Sequence, residues 1–79
     1  MEIDDQQIFA GYLRDLGLML REYAVEAKQR QVTAPGPFAD GYLSGFHRIV
    51  SLMQQQAEAF GLPPDAIGLA GIDPDTELT

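Results

Sequence analysis

The chain of 79 residues contains no cysteine and no tryptophan, one histidine, and five basic residues against twelve acidic ones. Each scarcity removes a class of function. Without cysteine there is no disulfide framework, no thiolate metal site and no thiol chemistry. His47 alone cannot build a histidine metal cluster. A formal net charge of −7 leaves no basic stripe for a phosphate backbone, so direct nucleic-acid binding is not expected. The same charge repels anionic lipid, and no apolar run approaches the length of a membrane span. The opening "MEIDDQQ" lacks the basic start and apolar middle of a signal peptide, so the cytoplasm is the expected compartment. A chain this short has a marginal core. With disulfides and metals set aside, association with another chain is the remaining source of burial.

What is present is helix grammar. Asp4 is placed as an N-cap, with Gln7 three residues on as its capping-box partner and Ile3 and Ile8 as a hydrophobic staple. From there Phe9, Leu13, Leu16, Leu20, Tyr23 and Ala27 alternate steps of four and three, a heptad seam. The run "APGP" stops it, because Pro35 biases Ala34 out of helical geometry. Pro37 suits a first helical turn. A second seam follows: Ala39, Leu43, Phe46, Val50, Met53, Ala57 and Phe60. Gly61 fits a left-handed helix end, with Leu62 folding back and Pro63 blocking continuation. These signals predict an all-α fold, an antiparallel two-helix hairpin over residues 1–62 with helices at about 4–32 and 37–60. Residues 63–79 read as a Pro/Gly-rich acidic tail. Ile67, Leu69 and Ile72 suggest that its first half docks on the hairpin, while 73–79 reads as frayed.

The tripeptide Gly-Tyr-Leu occurs at Gly11 and again at Gly41. Shifted by thirty residues the two seams also align, which fits two helices converging on one packing pattern better than an old duplication. In both copies the tyrosine widens the seam: Tyr12 and Tyr42 sit beside it, and Met19 and Ile49 continue the column. Faces this wide suit a bundle with more than one neighbour per helix, whereas a lone hairpin gives each helix one. On the other flank of the first helix Ala10, Gly17 and Ala24 form a small-residue stripe open to close approach. The matching column of the second helix, Asp40, His47 and Gln54, is polar. Leu18 and Val25 add apolar surface to the first helix. The expectation is therefore a homodimeric four-helix bundle with the first helix at its centre. Its expected interface is Phe9, Ala10, Tyr12, Leu13, Leu16, Gly17, Met19, Leu20, Tyr23, Ala24, Phe46 and Ile49.

Candidate chemistry is sparse. His47 and Ser51 stand one turn apart, but the sequence shows no orienting carboxylate and no strained nucleophile turn. The glutamines of "QQQAE" read as a solvated helix face. Asp73 and Asp75 flank Pro74 without the rest of a calcium loop. Gly41 and Gly45, four apart on the second helix, read as a groove where a partner could approach the backbone. With Asp73, Asp75 and Glu77 they make up a possible partner surface. No catalytic residue, cofactor or metal is expected.

The stretch "DGYLSGFHRIVSLMQQQAEAFGLPPDAIGL" resembles small bacterial helical-hairpin proteins. The likeness covers about residues 40–69 and implies a bacterial or phage-like origin, with no function attached. The functional expectation is a non-enzymatic interaction module, an adaptor or regulator acting through helix faces as a homodimer. Two alternatives stand beside it. One is an acidic inhibitor or nucleic-acid mimic seated on a partner's basic site. The other is an export-type cochaperone whose hairpin cradles a client helix.

Overall fold

A computed structural model describes residues 4–79; Ile3, and with it the expected staple, lies outside the described residues. The fold is all-helical. Helix α1 spans Asp5–Thr33 and α2 spans Pro37–Ala59, packed side by side. The start of α1 is the reciprocal capping box: Gln7 N donates to Asp4 Oδ1 at 2.8 Å, and Asp4 N donates to Gln7 Oε1 at 3.2 Å. These bonds satisfy amides that an unfinished helix end leaves without acceptors. At the end of α2, Gly61 is left-handed with φ 73°. The Leu62 amide reaches back to Ala57 O at 2.8 Å and Gly61 N to Glu58 O at 3.0 Å, the paired bonds of a Schellman motif.

The first half of the C-terminal segment docks on the hairpin through Ile67, Leu69 and Ile72, but its end departs from expectation. Residues 73–79 do not fray. Beyond the hairpin the chain forms a 3₁₀ turn at Pro64–Ile67 and a single helical turn, α3, at Pro74–Glu77. This segment is a strap laid along the groove between the helices, running in the direction of α1. Polar contacts mark its course: Arg21 donates to Ala70 O, His47 meets Asp75, and Lys28 reaches Thr79 O. Of nine buried core side chains, four come from the strap: Ile67, Leu69, Ile72 and Leu78. The hairpin supplies only Ala24, Ala27, Leu43, Val50 and Ala57. Two alanine-rich helix faces cannot enclose much volume alone. The strap provides the bulk the core lacks, and Leu78, the reason the end is held, is fully buried.

Irregular backbone inside a core needs hydrogen-bond partners. Gln54 Nε2 donates to both Leu69 O, at 3.2 Å, and Ile72 O, at 2.8 Å. Lys28 Nζ reaches Thr79 O at 2.6 Å. Asp73 caps α3 by accepting from the Asp75 amide at 3.0 Å. Among the described residues no buried side-chain polar atom is left without a partner.

The strap also corrects the expected role of α1. Within one chain the two helices are enclosed about equally, Gly17, Ala24 and Ala27 on α1 and Leu43, Val50 and Ala57 on α2. A Cβ at Gly17 would overlap the Ile67 carbonyl, and one at Gly68 would strike the α1 backbone at Arg14 and Leu18. The small-residue stripe therefore receives the chain's own strap. Gly17 and Ala24 are closed to any second chain, and their assignment to a dimer interface is withdrawn. With Gly17 and Ala24 given to the strap side, Phe9, Leu16 and Tyr23 are exposed instead of sealing the seam.

Candidate functional site: a bare face across both helices

At about 100° per residue, Leu16 stands a quarter turn from Gly17, and Met19 stands nearly opposite. The residues that leave the strap side thus gather on the other side of the hairpin. On α1 they are Phe9, Tyr12, Leu16, Met19 and Tyr23, all exposed, with Phe9 and Tyr12 each 68% accessible. On α2 they are Phe38, Tyr42 and Ile49, exposed, and the half-buried Phe46 and Met53. Phe38 and Phe60, at opposite ends of α2, are 82% and 78% accessible. Leu13 and Leu20 lie half-buried at the inner margin, where Leu13, Phe46 and Met53 pack against the core from this side. Ala10 is exposed on the flank beside the strap. The structure therefore brings most of the sequence-selected α1 residues, with Phe46 and Ile49, to one face. Leu18 and Val25 lie beyond the outer edge of this face, where Glu22 and Glu26 stand between them and it, with Arg21 and Gln29 nearby.

Two local features shape the face. Phe38, Tyr42 and Phe46 form a ladder one turn apart. The first pair stacks with centroids 6.0 Å apart, and the second meets edge-on at 5.2 Å. Such pairs hold aromatic rings in register even when solvent-exposed. At the other end Leu13, Met53, Ala57, Phe60, Leu62 and Ile67 line an apolar cleft of ≈ 180 Å³, with Gln56 at its edge. Gly41 and Gly45 border the ladder on the outer side of α2, and no atom lies within 4 Å of where a Cβ would stand on either.

The acidic candidates belong to the opposite side and have local partners. Asp73 caps α3, Glu77 accepts from the Asp73 amide, and Asp75 meets His47 Nε2 at 2.9 Å. That contact supplies the carboxylate that His47 lacked in sequence. The constellation still goes no further, because neither Ser44 nor Ser51 makes a side-chain hydrogen bond among the described residues. Gln54 belongs to a run whose sequence suggests a solvated face, but it holds the strap. Its signal was the heptad column Asp40, His47 and Gln54, matched on α1 by Arg14, Arg21 and Lys28. Polar columns on both walls of one groove mark the place for a segment rich in backbone carbonyls.

Among the described residues no group of three metal-ligating side chains converges, and no helix is long and apolar enough to cross a membrane. Comparison with protein families, curated proteins and solved structures returns no match to this chain.

Proposed function

We propose that the protein is a small non-enzymatic interaction module that works through this two-helix face, pairing with a second copy to form a four-helix bundle. The observation that carries the reading is the contrast between the two sides of the hairpin. One side is sealed by the chain's own strap, and the other presents six accessible aromatic rings with Leu16, Met19 and Ile49. With each aromatic contributing about 150–250 Å² when fully buried, the accessible part of this face is on the order of 1,000 Å². The largest contiguous apolar patch on a typical monomer is about 300–600 Å². A standard interface takes about 800 Å² from each partner, so a second copy of the same face is enough to cover it.

Light scattering on a sizing column, over a wide concentration range, tests this. A dimer mass at micromolar concentration is the expected result. A monomer mass that persists to millimolar concentration would refute self-pairing and leave the face to a different protein, as the client-cradling alternative requires. The acidic-mimic alternative draws support from the ordered tail, where Asp73, Asp75 and Glu77 are exposed together around α3, but the contrast between the two sides of the hairpin favours self-pairing.

A further inference from the structure

Resting on that self-pairing, we infer that the two copies lie with loop end beside loop end. In this arrangement α1 of each copy covers α2 of the other, and Glu22 of each stands beside Arg48 of the other. The inference comes from charge at the edges of a face that, by helical periodicity, is otherwise charged only at the two ends of α1, at Asp5 and Arg30. By helical periodicity the outer edge along α1 carries Asp15, Glu22 and Glu26. The outer edge along α2 carries Arg48. Glu26 is already paired with Arg30 at 2.9 Å, which leaves Asp15 and Glu22. Neither Glu22 nor Arg48 has an ion-pair partner among the described residues.

The register of the hairpin sets the heights. Leu13 shares the apolar cleft with Met53 and Ala57 near one end, and Gln31 reaches Asp40 near the other. Midway between these points Glu22 is level with Arg48. Two identical faces meet through a two-fold axis lying in the interface, running either across the helices or along them. An axis across the helices stacks α1 on α1, setting acidic edge against acidic edge and Arg48 toward Arg48. An axis along them sets α1 on α2 at matching heights and brings Glu22 beside Arg48 twice. Edge charges of this kind choose orientation in helix bundles even where each pair adds little affinity.

The chain has no cysteine, so Ala34→Cys gives one spin-label site per copy, in the loop. Double electron–electron resonance should show a separation of about 20–30 Å, a few interhelical spacings. A separation near the 49 Å length of the molecule would overturn the inference. Independently, Glu22→Arg and Arg48→Glu should each weaken the dimer about tenfold, and the two together should restore it. Dimers that show no such restoration would also overturn it. Solution mass measured on the same samples separates the two levels: a dimer with distant labels defeats only the orientation, whereas a monomer defeats the pairing itself.

Discussion

Gly17 on α1 and Gly68 on the strap meet at a contact that leaves no room for a side chain on either. A Cβ on Gly17 would overlap the Ile67 carbonyl, and one on Gly68 would meet the α1 backbone at Arg14 and Leu18. Gly68 is also left-handed, with φ 73°, a conformation that costs any other residue about 1–2 kcal/mol. This contact fixes the depth at which the strap lies in its groove.

Gly17→Ala should therefore reverse the usual sign. Replacing a helix-interior glycine by alanine ordinarily stabilises by up to about 1 kcal/mol. Here the overlap with the Ile67 carbonyl should outweigh that gain, for a net loss of about 1–3 kcal/mol. Gly11→Ala, with nothing within 4 Å, should stabilise. Urea unfolding of the two variants side by side reads both signs; equal stabilisation would mean that the strap does not lie on Gly17.

Gln54→Ala should destabilise by about 1–3 kcal/mol, since it strips the donor from two partly enclosed carbonyls. The next residue, Gln55, is exposed, and Gln55→Ala should change stability by about 0.5 kcal/mol or less. Thermal melts of the pair give the comparison. Indistinguishable midpoints would return Gln54 to the solvated face suggested by its sequence context.

Leu78→Ala should cost about 2–5 kcal/mol, a large share of what a small domain possesses. A chain ending at Pro63 should lose cooperative unfolding altogether, its helices reduced to fluctuating structure in circular dichroism. A truncated chain that melted as sharply as the full one would show the hairpin to be self-sufficient.

Leu16→Glu should leave a folded, fully helical chain while removing self-association. Read as a seam residue in sequence, Leu16 would be structural, and the change would unfold the protein. In the structure it is exposed, because the strap completes the core on the other side. Circular dichroism and solution mass on one sample distinguish the outcomes. Loss of helicity would mean that the monomer depends on its partner.

The helix limits were legible because their signals are local. The Asp4–Gln7 box, Pro37 and the Gly61–Leu62 pair each declare an end within four residues. The breadth of the apolar faces was legible for the same reason, through the spacing of Phe9, Tyr12, Leu16 and Met19. What was not legible is which part of a broad face each neighbour takes. Gly17 and Ala24 looked like a stripe for another chain, and only the fold shows their occupant about fifty residues further along. The strap gave weak signals for a physical reason. Ile67, Leu69 and Ile72 pointed to a docked first half, but with Leu78 they follow neither a helical nor a strand period, so nothing carried that reading on to the end of the segment. Leu78, set among acidic residues, looked like solvent-facing chain.

The strap also sets an order of events in time. Arg21 and Ala70 are 49 residues apart in the chain, and Lys28 and Thr79 are 51 apart. Contacts this distant form late, since a long loop must close before they contribute. Until that closure Leu69, Ile72 and Leu78 are not in place to cover the helices. In that interval the groove later filled by the strap is bare, as well as the apolar face on the other side. The nascent hairpin is thus the form of this protein most exposed to wrong partners.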